Sequence, residues 1–199
     1  MTRSFMRAFL RGWLIVALLV GYSGTLSRLP VPPPFLAVGL TILLLLALRT
    51  SRGVQAAARQ VSARSILVFH AIRLPIGAYF LVLENNGLLP AAFAIPAGWG
   101  DIVVGLTAIP VALWCCPVTT HGRRTVLLLW NVAGLLDILG VLGNGVRLFM
   151  GASEFAAPFT VLPLSLLPTF IVPLVIVTHV LLFIPSTGSA LAPRGVPTG

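Results

Sequence analysis

Long apolar runs alternate with short arginine-bearing segments along this chain, and that alternation leaves few folds open to it. When every second connecting segment is assigned to one side of the apolar runs, ten of the thirteen arginines fall on that side. An α-helix needs about 20 apolar residues to cross the hydrocarbon core of a membrane. The pattern therefore predicts an all-α, polytopic membrane helix bundle.

The composition agrees with that prediction and argues against several functions. Charged residues make up 9% of the chain, whereas a soluble domain carries about 25%. The net charge of +9 belongs to arginines beside apolar runs, so it indicates contact with the anionic headgroups of the inner leaflet and no nucleic acid. Cys115 and Cys116 are adjacent and lack metal-site spacing. Hydrolase and phosphate-loop motifs are absent from the sequence, which gives no support to an enzyme.

Six apolar segments are long enough to span a bilayer, and we predict that they form one transmembrane domain over residues 1–185. No small-x-small cleavage site follows the first segment, so we expect an uncleaved helix in place of a signal peptide. Three prolines spaced five residues apart predict a kinked or unwound sixth span. The predicted spans are residues 8–27, 29–48, 66–83, 97–115, 125–146 and 161–184.

The arginine distribution also predicts the orientation of the chain in the membrane. The two tails, the segment between spans two and three, and the loop between spans four and five hold the ten arginines. The opposite side holds only Arg28 and Arg147. By the positive-inside rule both termini are cytoplasmic. We further predict a cytoplasmic surface helix at about residues 51–63 and a disordered cytoplasmic tail at residues 186–199.

Polar and ionisable side chains inside the predicted spans are the candidate functional residues, because such groups are costly in hydrocarbon. The helical rise places His70 and His179 nearest the cytoplasmic edge, Arg73 deeper and Asp137 at the bilayer centre. Arg73 and Asp137 differ by about 6 Å in height, so we predict a contact between them if spans three and five adjoin. The candidates are His70, Arg73, Asp101, Asn131, Asp137, Asn144 and His179.

Simpler roles are open for two of these residues. The Arg73 side chain could extend to the cytoplasmic interface. Asp101 lies one turn inside the outer end of the predicted fourth span, where it could cap its own helix or serve a substrate or ion. A stripe of small residues shares the face of Asp101 and is typical of close contact between helices; it consists of Gly105, Ala108 and Ala112.

Two motifs carry a family resemblance. The first is Leu89-Pro90 followed by the run FAIPAGWGD at residues 93–101, which has the form LP..FA.PAG.GD. The second runs from Trp130-Asn131 to Asp137 and has the form W-N-x-x-G-x-x-D. Together they resemble a family of small uncharacterised bacterial membrane proteins. The resemblance implies a multi-pass protein of the bacterial inner membrane and brings no established activity.

Three functions are open on the sequence alone. The central acid and the proline-rich sixth span favour a small transporter or ion-coupled carrier that moves a small solute or a proton. A structural or accessory subunit is the alternative, in which the buried polar residues only fix helix packing. A membrane haem or redox protein is the third, with His70 and His179 as ligands of one haem. Outside that third hypothesis no cofactor and no bound metal are expected.

Overall fold

The computed structural model describes residues 3–184, and every regular element within that range is helical. Four helical segments in it are long and apolar enough to cross a membrane. The all-α class is confirmed, and the four segments are compatible with a membrane protein. They are Pro33–Thr50, Ala63–Asn85, Ala91–Cys115 and His121–Gly151, and a shorter apolar segment covers Leu167–Phe183. The predicted disordered tail lies outside the described residues.

Within residues 3–184 there are eight α-helices, three 3₁₀ segments and one π-helical turn. The α-helices are α1 (Arg3–Tyr22), α2 (Pro33–Thr50), α3 (Arg52–Ala58), α4 (Ala63–Phe69), α5 (Arg73–Asn85), α6 (Ala91–Cys115), α7 (His121–Gly151) and α8 (Val172–Phe183). Short 3₁₀ segments cover Thr25–Arg28, His70–Ile72 and Ser153–Thr160, and a π-helical turn covers Leu167–Ile171.

Several helix boundaries differ from the predicted spans because prolines act differently at different positions. α6 begins at Ala91 and not near residue 97, since Pro90 takes the position before the helix and Pro96 is accommodated inside it. The last predicted span is α-helical only from Val172, where α8 begins. The residues directly before it, including Pro168, form a π-helical turn. Pro163 lies in a further turn, which precedes the π-helical turn and α8.

Two further helices lie where the sequence predicted helical segments. α3 covers part of the region predicted as a surface helix and begins after Ser51, whose side chain accepts from the backbone N–H of Val54 at 3.4 Å. α1 covers Arg3–Tyr22 and therefore overlaps most of the first predicted span.

α5 and α6 form the most extensive helix pair, and glycines allow their close approach. A Cβ placed on Gly77 would lie 2.9 Å from the Cβ of Asp101, and one on Gly98 would lie 2.7 Å from the side chain of Leu81. A Cβ on Gly105 would lie 2.8 Å from the Cα of Leu74. Gly105, the glycine of the predicted stripe of small residues, therefore allows close contact between α5 and α6, as was predicted for the stripe.

Two apolar clusters occupy opposite ends of the bundle. At one end, Phe93 of α6 packs edge-on against Phe80, Phe155 and Phe159. At the other end, a second buried cluster includes Ile66, Leu67, Ala112, Cys115, Leu127 and Leu182. Along α5, α6 and α7 the buried ionisable side chains fall between these clusters, so they form a polar layer between two apolar ones.

Pro96 inside α6 creates a free backbone acceptor that another helix satisfies. A proline has no N–H, so the carbonyl four residues before it loses its usual helical partner. That carbonyl belongs to Ala92, and the side-chain amide of Asn144 on α7 donates to it at 2.8 Å. The Asn144 oxygen in turn accepts from Arg147 at 2.8 Å. The candidate residue Asn144 thus joins α6 to α7 at a proline.

We expect Asn144→Ala to cost about 1 kcal/mol of unfolding free energy, because the Ala92 carbonyl then has no donor. In a Pro96→Ala background the residue at 96 can supply that donor, so the cost of Asn144→Ala should fall to near zero. A double-mutant cycle of unfolding in mixed detergent micelles measures the coupling. An equal cost in both backgrounds would contradict this explanation of how α6 accommodates Pro96.

Candidate functional site

Arg73 is the first residue of α5, and its guanidinium lies at the centre of the polar layer. Nε donates to Oδ1 of Asp101 at 2.5 Å, Nη1 donates to the carbonyl of Gly134 at 3.1 Å, and Nη2 donates to Oδ2 of Asp137. The predicted contact between Arg73 and Asp137 is confirmed. Extension of Arg73 to the cytoplasmic interface is not what the structure shows, because its donors all bind inside the bundle.

The three residues Arg73, Asp101 and Asp137, here called the polar core, come from three helices. α5 supplies the arginine directly after the 3₁₀ turn His70–Ile72. α6 brings Asp101 within reach because Gly77 lets the two helices approach closely. α7 supplies Asp137 and, one turn earlier, the carbonyl of Gly134.

The structure corrects one predicted role of Asp101. Since α6 begins at Ala91, Asp101 lies about three turns into the helix and does not cap its N-terminus. The carboxylate is instead a buried counter-charge of Arg73. The sequence suggested that Asp101 caps a helix because proline is most common in the first turn of a helix, so Pro96 indicated that the helix begins there.

Asp137 differs from its two partners in accessibility. Its side chain is 23% exposed, whereas those of Arg73 and Asp101 are 1% and 5% exposed. Gly100 of α6 leaves the space that the Asp137 carboxylate occupies, since a Cβ at Gly100 would collide with it. Asp137 is therefore the most exposed member of the polar core.

A second cluster adjoins the polar core and contains His70, Asn131 and His179, all fully buried. Nδ1 of His179 donates to the side-chain oxygen of Asn131 at 2.8 Å, and the Asn131 amide donates to the His179 carbonyl at 3.0 Å. A Cβ on Gly134 would lie 2.7 Å from Cε1 of His179. Gly134 thus contacts both clusters, because its carbonyl also accepts from Arg73.

The two histidines do not fit as axial ligands of one haem. Their ring centroids are 4.1 Å apart, so the rings pack directly against each other. Trp130 packs against both rings at 5.5 and 5.9 Å. Axial ligands lie on opposite faces of a macrocycle, and no space for one exists between these rings. Within residues 3–184, no group of three or more His, Cys, Asp or Glu side chains is placed to hold a metal ion.

Six of the seven candidate residues come together in these two clusters, and Asn144 lies apart at Pro96. The sequence did not identify two further side chains of these clusters as site residues. The Thr178 hydroxyl lies 3.3 Å from Nε2 of His70, and Nε1 of Trp130 donates to Thr107 at 2.9 Å. The sequence also did not identify the carbonyl of Gly134. A backbone carbonyl that accepts a hydrogen bond cannot be recognised from residue types. The W-N-x-x-G-x-x-D motif nevertheless contains Gly134, between the candidate residues Asn131 and Asp137.

A cavity of about 70 Å³ reaches the polar core from the phenylalanine-rich end of the bundle. Arg73 and Asp101 line one part of it, and apolar residues that include Phe80 and Phe159 line the rest. The volume is enough for a few water molecules. Pro168 and Ile171 of the π-helical turn also line it, so the irregular start of the last helical segment borders the path to the core.

Residues 31–185 match the model of a protein family described as a domain of unknown function, DUF8737. The chain belongs to this family. All seven candidate residues lie inside the matched range, whereas α1 lies before it. No curated protein and no solved structure shows a significant match.

Proposed function

We propose that the protein is a small ion-coupled membrane carrier whose polar core exchanges a proton or a monovalent cation during transport of a small solute. One observation supports this above all. Two acids from two different helices share a single arginine in the polar layer of an apolar bundle. Ionisable groups at such depth commonly mark ion pathways and proton relays in membrane proteins.

The charge of the polar core supports exchange of one positive charge. With both carboxylates ionised, one guanidinium leaves the cluster with a net charge of −1. A proton or a monovalent cation bound at Asp101 or Asp137 makes it neutral. Uncompensated charge inside an apolar bundle is costly, so the neutral form is favoured when such a cation is available. Asp137 is the proposed exchange position because its side chain is the most accessible.

The proline-rich last segment supports a carrier as well. Transporters commonly use interrupted helices near their binding sites, because irregular backbone can line a cavity and rearrange. Here the π-helical turn Leu167–Ile171 borders the cavity that reaches Arg73 and Asp101. Movement of this turn could open or close access to the polar core from one side.

Asp137→Asn is expected to abolish proton exchange, since an amide of the same size cannot take up and release a proton. Purified protein is reconstituted into vesicles that contain the pH dye pyranine, and a potassium diffusion potential drives proton entry. Glu154→Gln is the matched control, because it makes the same chemical change in the 3₁₀ segment outside the polar core. Wild-type vesicles that match protein-free ones, or an Asp137→Asn variant that keeps the wild-type flux, would contradict proton exchange at Asp137.

A structural or accessory subunit is the second candidate, and the complete pairing of Arg73 favours it. The guanidinium donates through all three nitrogens to groups on α6 and α7, so the polar core also locks three helices together. On this alternative, Asp137→Asn lowers stability, and neither wild type nor variant moves protons.

We also propose that the chain crosses a bacterial inner membrane six times with both termini in the cytoplasm. The four membrane-length helices support this arrangement, and so do Arg49 at the end of α2 and Arg124 at the start of α7, which line the same cavity. Alkaline phosphatase, which is active only in the periplasm, should be inactive when fused after Gly199 and active when fused after Asn86. The opposite pattern would reverse the orientation.

A further inference from the structure

The arginine-rich end of the bundle contains a second cavity, here called the basic cavity, of about 320 Å³. The ends of α2, α7 and α8 and the α3–α4 region enclose it. Its charged lining residues are Arg49, Arg59 and Arg124. The remaining wall is almost entirely apolar and includes Leu127, Leu181 and Leu182.

No acidic side chain of the protein balances these three arginines. The chain has four acids. Asp101 and Asp137 are the partners of Arg73, and Glu84 and Glu154 lie at the other end, in the last turn of α5 and after α7. Within residues 3–184, the ion pairs that form all involve Arg73. The basic cavity therefore combines an uncompensated positive charge with an apolar wall.

Local contacts hold the cavity in shape. The side-chain amide of Gln55 on α3 donates to the carbonyl of Arg49 at the end of α2, at 2.8 Å. Ser51 caps α3 between them. These bonds fold the short helix back beside α2, so Gln55 and Ala58 line the cavity with Arg49.

We propose that the basic cavity binds the phosphate headgroup of an anionic phospholipid, whose acyl chains continue along the apolar wall. Guanidinium groups suit phosphate because their planar donors form charge-assisted hydrogen bonds with its oxygens. The volume lies near the lower limit of about 300 Å³ for ligand pockets, so it accommodates a headgroup and leaves the acyl chains outside. An apolar wall beside the arginines favours an amphiphile over a free anion. This inference does not depend on the proposed transport function.

Binding is measured with soluble lipid in an uncharged detergent, so that bulk membrane charge does not contribute. Purified full-length protein is titrated calorimetrically with dioctanoyl phosphatidylglycerol, with dioctanoyl phosphatidylcholine and with inorganic phosphate. We expect saturable binding of phosphatidylglycerol and at least tenfold weaker binding of the other two. Equal binding of phosphatidylcholine would show an apolar groove without headgroup selection, and equal binding of inorganic phosphate would show a free-anion site; either result would overturn the proposal.

Charge variants test whether the three arginines act as a site. Replacing Arg49, Arg59 and Arg124 together by glutamine should weaken phosphatidylglycerol binding about 100-fold, at roughly 1 kcal/mol for each arginine. The matched control replaces Arg7, Arg52 and Arg64 by glutamine, which removes the same charge from exposed residues that do not line the cavity. Equal losses in both triple variants would show diffuse electrostatic attraction and contradict a defined site.

A steric variant tests the cavity with all its charges intact. Ala58 lines the cavity, whereas Ala56 on the same helix is exposed and does not. Ala58→Trp should block phosphatidylglycerol binding and Ala56→Trp should leave it unchanged, with thermal unfolding of both variants recorded to confirm that they fold. Wild-type affinity in a folded Ala58→Trp protein would place the lipid elsewhere.

Discussion

Arg73→Met is expected to destabilise the protein by about 3–5 kcal/mol, which is the usual cost of removing one partner from a buried ion pair. The substitution leaves the carboxylates of Asp101 and Asp137 without their counter-charge. It also removes the donor to the Gly134 carbonyl. The free energy of unfolding in mixed detergent micelles measures the loss. Arg147→Met is the control, because Arg147 is exposed and, within residues 3–184, its side chain bonds only to Asn144.

A compensated variant separates charge balance from shape. Arg73→Met combined with Asp101→Leu and Asp137→Leu removes the whole ion cluster, and such replacements are often neutral or stabilising. We expect this triple variant to regain most of the stability lost in Arg73→Met and to move no protons in the vesicle assay. If Arg73→Met alone unfolds within 1 kcal/mol of wild type, the polar core is not the buried ion cluster described above.

Gly77→Leu is expected to cost about 3 kcal/mol, near the upper end of the usual range for overpacking. A Cβ at this position would lie 2.9 Å from both the Cβ of Asp101 and the backbone nitrogen of Ile102, so α5 and α6 must move apart. Separation of these helices also pulls Asp101 away from Arg73. The variant should therefore lose proton exchange together with stability, as thermal unfolding and the pyranine assay would record.

Gly140→Leu provides the matched control for that change. A Cβ at Gly140 meets no atom within 4 Å, and leucine has a higher helix propensity than glycine. We expect its stability to equal or slightly exceed that of wild type. Similar losses for the two leucine variants would indicate that glycine at position 77 is not needed for close packing.

The pairing of Arg73 with Asp137 could be predicted because depth in a membrane follows directly from residue number. Each helical residue advances about 1.5 Å, so two residues on different spans can be compared in height before their neighbours are known. The Asp101 contact could not be predicted in this way. Its depth depended on where α6 begins, and Pro96 suggested a later start than Ala91. The Asn144 amide that satisfies the freed carbonyl lies 52 residues away in sequence.

The close packing of the His70 ring against the His179 ring, with the two rings tilted by 39°, shows a different limit. Their similar depth was evident from the sequence and suggested two ligands of one haem. Whether two side chains at the same depth stack or face each other across a gap depends on the rotation of each helix about its axis. That rotation is set here by contacts such as Gly134 against His179 and Gly105 against Leu74, which involve residues far apart in the chain.

The sequence by itself determined the helical class, four of the membrane-length apolar segments and the similar heights of Arg73 and Asp137, because these depend only on composition, length and helical rise. Only the tertiary structure decided that Asp101 and Asp137 share one arginine, that the two histidine rings pack against each other, and that three arginines line one cavity. The physical reason is that neighbour relations depend on which helix faces touch. Those faces are selected by glycine contacts and proline-freed carbonyls, whose partners no local pattern identifies.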